Sequence, residues 1–146
     1  MTTTALKPYP GHHLYNNGGL RELAADLIRT VLPAASRNES FFVNDIPEDM
    51  DIDADPQLIA SVLGGMLSAV AKHAKNSCIR VSAKIYHDVI LVHVKDCNSS
   101  HTHDLNSGLH GLMPIAEKIG GFVGVSSHRQ NVTTVAFSFP NLPAVA

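Results

Sequence analysis

From Leu20 onward the apolar positions Leu23, Leu27, Ile28, Val31 and Leu32 recur at threes and fours. That period places them on one face of a helix over residues 19–32. Pro33 is expected to stop it, because the residue before a proline is pushed out of helical geometry. Phe41, Phe42 and Val43 read as a short strand, and Pro47-Glu48-Asp49-Met50-Asp51 as the turn that follows. Asp55 then caps a second helix and Pro56 opens it, since a proline at the first helical position removes only an amide with no intrahelical partner. Its stripe of Leu58, Ile59, Val62, Leu63, Met66, Leu67 and Val70 persists for three to four turns. After Lys75-Asn76-Ser77 the period falls to two, with Ile79, Val81, Ala83 and Ile85 alternating with Arg80, Ser82, Lys84 and Tyr86. This is a strand with one wet face. A His87-Asp88 turn makes a hairpin of it with residues 89–95. Polar residues 97–108 read as a loop; Leu109, Leu112, Ala116 and Ile119 mark a third helix ended by Gly120-Gly121. Strands near 122–127 and 133–139 finish at Pro140.

Strands that come in hairpin pairs, not singly between helices, disfavour a doubly wound parallel sheet. The order packs as a two-layer α/β sandwich, with helices on one mixed or antiparallel sheet. Residues 1–18 carry prolines, Gly11-His12-His13 and Asn16-Asn17-Gly18 without an apolar period, and read as a flexible arm. Residues 19–140 form the domain, and 141–146 a tail. Over 146 residues, 45% hydrophobic and 16% charged, the composition suits one folded core.

A net charge of -2 and a pI near 6.5 give no basic footprint, so neither nucleic acid nor an anionic membrane surface is an expected partner. No apolar run reaches membrane-span length and the N-terminus lacks the order of a signal peptide, so a cytoplasmic location is expected. Cys78 and Cys97 allow at most one bridge and have no metal-type spacing, so reduced thiols are expected.

These elements and their punctuation resemble the catalytic ATP-binding domain of bacterial histidine kinases, within the GHKL superfamily that also holds gyrase, Hsp90 and MutL. The resemblance covers about residues 19–140 and implies a Bergerat-type fold. The family's Asn box, N-L-L-x-N-A-x-K-Y/H after a capped D-x-x-R/Q-L, aligns with residues 55–73. There Gly65 and Ala69 occupy the two Asn positions, while Lys72 and His73 match the positions that contact phosphates. In the family the second Asn gives an oxygen to Mg²⁺, which the methyl group of Ala69 cannot do. The family's D-x-G-x-G aligns with Asp96-Cys97-Asn98-Ser99-Ser100, which keeps the adenine-binding carboxylate and neither glycine. Its G-x-G-L-G-L aligns with Asp104-Leu105-Asn106-Ser107-Gly108-Leu109, which keeps only the last Gly-Leu. The glycines lost there would have exposed amides to the phosphates. The closing G-T-T run appears as Val132-Thr133-Thr134, ending at Pro140.

The resemblance therefore implies a vestigial nucleotide pocket at Lys72, His73, Asp96, Gly108 and Thr133, and no catalytic residue. No cofactor is expected, with ATP or ADP and Mg²⁺ bound only if the pocket survives. The function expected is that of a degenerate, stand-alone ATPase-like domain. It would carry out neither hydrolysis nor phosphotransfer and would bind a signalling protein: a kinase, a response regulator or a sigma-factor regulator. The alternative is a nucleotide-binding kinase of the anti-sigma-factor type with an altered site, which calls for a protected cavity between the second helix and the 97–110 loop. The dimeric helical hairpin that bears a kinase's phosphoacceptor histidine has no room upstream of residue 19, and His12 and His13 lie in the arm.

Other signals have plainer readings. His101, His103 and His110 could collect zinc with Asp104, yet no cysteine joins them, so solvated histidines and no metal are expected. Gly64-Gly65 within a strong helix costs about 1 kcal/mol per glycine. It signals close packing, an open pocket floor or drift after lost function. Lys72 and His73 also suit a helix C-terminus through the dipole. Ser68 lacks the partners of a nucleophile.

Overall fold

The computed structural model describes residues 19–98, 102–128 and 131–143. In chain order these form α1 (Leu20–Arg37), β1 (Phe41–Asn44), α2 (Pro56–His73), β2 (Cys78–Tyr86), β3 (Val89–Asp96), α3 (Thr102–Leu109), a 3₁₀ turn (His110–Leu112), α4 (Met113–Glu117), β4 (Phe122–His128) and β5 (Val132–Pro140). One five-stranded sheet has the order β1-β2-β3-β5-β4. β1 runs parallel to β2 and every other pairing is antiparallel, so the sheet is mixed. The helices pack on one face, giving the two-layer α/β sandwich that the element order implies.

Alternation decides which face meets the helices. Ile79, Val81 and Ala83 of β2, Ile90, Val92 and Val94 of β3, and Val135, Phe137 and Phe139 of β5 point inward and are buried. Phe137 and Phe139 lie with ring centroids 5.0 Å apart. Against this face lies α2, with Ile59, Val62, Leu63, Met66, Leu67 and Val70 removed from solvent. Its start is as the sequence requires: the Asp55 side chain accepts from the Gln57 amide at 2.9 Å, with Pro56 in the first turn. The β2–β3 turn places His87 at φ 56°, the left-handed conformation of a tight hairpin.

Two expectations need correcting. Pro33 does not stop α1, which continues to Arg37. The amide that Pro33 lacks would have paired with the carbonyl of Arg29; both residues are exposed, so water can serve that carbonyl. Docking of the fully buried Ala35, whose carbonyl accepts from the Asn38 and Ser40 amides, holds the last turn. The second correction is larger. Residues 97–108 are not all loop, since α3 begins at Thr102, and the segment expected as one helix from Leu109 is broken by the 3₁₀ turn and resumes as α4. Leu105, Leu109, Leu112 and Ala116 follow a 4-3-4 spacing that puts them on one side, toward the core. Gly120-Gly121 do end this run: Gly120 has φ 73°, and the Gly121 amide returns to the Ala116 carbonyl at 2.9 Å.

Side-chain amides tie the connections down. Asn38 donates to the carbonyls of Ala71 and Lys72, joining the ends of α1 and α2. Asn141, just past β5, accepts from the Asp53 and Ala54 amides at 2.7 and 3.2 Å and donates to the Asp51 carbonyl at 3.1 Å, so it organises the acidic connection before α2. Among the described residues no helix is long and apolar enough to cross a membrane.

Removing Asn141 takes the partner from the buried Ala54 amide and from two part-buried backbone groups, so Asn141→Ala should cost about 2 kcal/mol in urea unfolding, against about 1 kcal/mol for Asp55→Ala. A pH effect follows from His93, half-buried on the outer sheet face near the cations of Lys84, Lys95 and Arg80. Burial, then Lys84 and Lys95, hold its pKa below the ordinary histidine value. The unfolded chain thus takes up this proton at higher pH than the folded one. Stability associated with neutral His93 is present above the unfolded pKa and lost as pH falls through it toward the folded value. Between about pH 7 and pH 5 the unfolding free energy of the wild type should fall more steeply than that of His93→Asn.

Candidate functional site

Where β3 ends and β5 begins, Asp96 and Thr133 face each other across the ladder. Both are 1% exposed. A buried carboxylate needs donors, and Asp96 Oδ1 accepts from the Ser77 hydroxyl at 2.6 Å and the Asn98 amide at 3.0 Å. Ser77 sits between α2 and β2 and is itself fixed, its amide donating to Ser40 Oγ at 3.1 Å. The Asn98 side chain closes the turn by donating to the Lys75 carbonyl at 3.0 Å. Asp96 is therefore the centre of a polar clasp joining the end of β3 to the segment that leaves α2. Its second oxygen, Oδ2, has no donor among the described residues.

Lys72 and His73 occupy the last turn of α2, Lys72 exposed and His73 half-buried. There they complement the partial negative charge of the helix C-terminus. Gly108 is exposed on α3 and lies over α2: a Cβ built on it would stand 3.7 Å from the Ala69 Cβ. The structure thus brings Asp96 together with Thr133, and Gly108 together with Ala69, one helical turn before Lys72 and His73.

The two glycines of α2 have different meanings. A Cβ at Gly64 would meet Leu27 Cδ2 at 3.5 Å, an ordinary contact with α1. A Cβ at Gly65 would stand 2.5 Å from Leu112 Cδ2 and 3.0 Å from Leu112 Cδ1. Close packing, the first of the readings open for this pair, therefore holds at Gly65, where an aliphatic side chain fills the space over the helix backbone. Sequence reasoning missed Leu112 and Ser77. The 4-3-4 spacing that includes Leu112 was a usable signal; Ser77, a lone serine before a strand, offered none.

Among the described residues no group of three or more His, Cys, Asp and Glu side chains comes together to hold a metal. His101 lies outside the described residues, as do the side chains of His103 and Asp104, and His12 and His13. The backbone of residues 103 and 104 belongs to α3, so the loop expected around them is replaced by helix.

No protein-family model matches the chain, and no curated protein matches it. Solved structures do. The nucleotide-free catalytic domain of histidine kinase ThkA aligns at TM-score 0.73 and 19% identity, covering 86% of this chain and 96% of that one. Histidine kinase AdeS of Acinetobacter baumannii aligns at TM-score 0.72 and 11% identity, covering 85% of this chain and 66% of that one. ThkA in complex with the response regulator protein TrrA aligns at TM-score 0.70 and 19% identity, covering 86% and 41%. This is the fold of a histidine kinase catalytic domain.

Within that histidine kinase fold, Gly65 and Ala69 face a packed element, and Asp96 carries structural hydrogen bonds whatever else it does. Gly64→Ala should stabilise the protein by about 0.5–1 kcal/mol through helix propensity. Gly65→Ala should give no such gain, because Leu112 must move, and the gain should return in the Gly65→Ala/Leu112→Ala pair relative to Leu112→Ala alone; thermal or urea unfolding of the four proteins checks this. Asp96→Ala should cost about 1–3 kcal/mol by stranding the Ser77 hydroxyl and the Asn98 amide.

Proposed function

We propose that this chain is a degenerate histidine kinase-type ATPase domain that neither hydrolyses ATP nor transfers phosphate, and that acts as a regulatory protein-binding module in signalling. Leu112 over Gly65 carries the reading. At this place the sequence resemblance implies the first asparagine of a nucleotide site, and here the space belongs to an aliphatic side chain from the 3₁₀ turn. One turn further along α2, Ala69 stands where the resemblance implies the Mg²⁺-binding asparagine, and a Cβ added at Gly108 of α3 would meet it at 3.7 Å. Leu105 and Leu109 are buried beside it, at 1% and 3% exposed, so the element that would cover a nucleotide packs into the core. Without an oxygen ligand at position 69 the metal that steers phosphoryl transfer has lost a defining contact. Lys72, His73, Asp96, Gly108 and Thr133 are the remnant of the pocket.

The protein-binding half of the proposal draws on the surface. Ile85, Tyr86, Val89 and Leu142 are exposed around the hairpin tip, at the other end of the sheet from Asp96. Beside them is a cavity of about 570 Å³ lined by Pro47, Met50, Ile85 and Tyr86 together with Asp49, Asp51 and Asp53. Apolar side chains around a concave surface suit a protein ligand. A response regulator is the partner class to try first, since ThkA, of the same fold, is seen with one.

One observation favours a second reading. Asp96 Oδ2 lacks a donor among the described residues, and a buried carboxylate oxygen could accept from an adenine amino group in an altered nucleotide site.

Calorimetric titration with ATP and ADP, with and without Mg²⁺, separates the two. The proposal expects no heat and no rise in Tm at millimolar nucleotide, because any ligand that binds the native state must stabilise it by mass action. Mg²⁺-dependent ATP turnover that disappears in Asp96→Asn, a variant that retains an acceptor for Ser77 and Asn98, would overturn it.

A further inference from the structure

Cys78 and Cys97 are neighbours across the open end of the β2–β3 hairpin. The ladder pairs Arg80 with Lys95 and Ile79 with Asp96, so the next rung outward is Cys78 with Cys97. The Cys97 amide donates to the Cys78 carbonyl at 3.4 Å, which closes that rung. Directly opposed residues project on the same side of a sheet, here the face of Arg80 and Lys95 that the helices leave uncovered. Arg80, two residues along β2, projects from the same face as Cys78. In a hydrogen-bonded antiparallel rung the Cα atoms are about 5.5 Å apart, within the ~4.4–6.8 Å span of disulfides, while the Cβ atoms must draw in to about 3.5–4.5 Å, which makes the bridge more reducible. Both cysteines are free, Cys97 exposed and Cys78 half-buried.

We propose that Cys78 and Cys97 form a redox-active dithiol that closes to an intramolecular disulfide on reaction with a small oxidised thiol such as glutathione disulfide. The exposed Cys97 sulfur attacks one sulfur of glutathione disulfide, forming a mixed disulfide and expelling one glutathione. The Cys78 sulfur then attacks Cys97 and expels the second. Two electrons pass from the protein to glutathione disulfide, and the two thiol protons end on the two glutathione molecules. An exposed bridge of this kind is readily reduced, which suits a reversible state more than a permanent staple. Cys97 lies between Asp96 and Asn98, so the bridge also anchors the turn through which the Asn98 amide reaches the Asp96 carboxylate. This inference is independent of whether the pocket binds nucleotide.

The test is oxidation of the full chain at low micromolar concentration by excess glutathione disulfide, quenched by alkylation and read by intact mass spectrometry. The expected product is a monomer lighter by two hydrogens, with both thiols lost together at a rate independent of protein concentration and both restored by dithiothreitol. Cys78→Ser should stop at a glutathione adduct on Cys97. A wild-type chain that ends as a mixed glutathione adduct, as disulfide-linked dimers, or with both thiols intact would overturn the proposal.

Discussion

The packing around α2 constrains everything else in this domain. One side of the helix presses Ile59, Val62, Leu63, Met66, Leu67 and Val70 onto the sheet, another meets α1 at Leu27, and a third meets the 3₁₀ turn at Leu112. A helix buried on three sides has little freedom in its side-chain volumes, because interiors are filled to crystal-like density. Glycine at position 65 leaves Leu112 where it lies, since a Cβ there would make that side chain shift. The helix accepts about 1 kcal/mol of lost propensity at this position in exchange for contact with the segment that crosses it.

That contact also links the fold to the candidate site. α3 and the 3₁₀ turn cross α2 and reach the core through Leu105, Leu109, Leu112 and Ala116. Apolar side chains that reach the core remove water from around them, and full burial of a leucine such as Leu105 or Leu109 contributes roughly 1.5–3 kcal/mol. The same side chains therefore join the segment after β3 to the core of the domain.

Much of the architecture was legible in the residues. The period of α2, its Asp55-Pro56 start, the alternation in β2 and the Gly120-Gly121 stop each express a local rule that the tertiary structure obeys. The misreadings came where context overrode such a rule. Pro33 lies on a solvent-facing side of α1, where a missing amide is cheap, so the helix runs on. In residues 102–109 the polar side chains outnumber the apolar ones, and only the spacing of Leu105 and Leu109 with Leu112 and Ala116 reveals a buried face. The candidate site is named in the sequence only through the resemblance. Lys72, His73, Asp96, Gly108 and Thr133 could be named from the sequence, whereas the Ser77 clasp and the Leu112 wedge depend on contacts between segments separated by 19 and 47 positions (96 minus 77; 112 minus 65).

Asp96 shows why a single retained residue is a poor witness to a retained activity. A carboxylate here completes the hydrogen bonding of a serine from the α2–β2 connection and of the amide two residues ahead, and losing it would strand both. Those requirements hold with or without a nucleotide. Positions 65 and 69 are more informative, because an asparagine at either would serve a ligand and the packing of this chain does not call for one. Glycine and alanine there fit the neighbouring side chains and carry no hydrogen-bonding group of their own, so what these two positions show is packing.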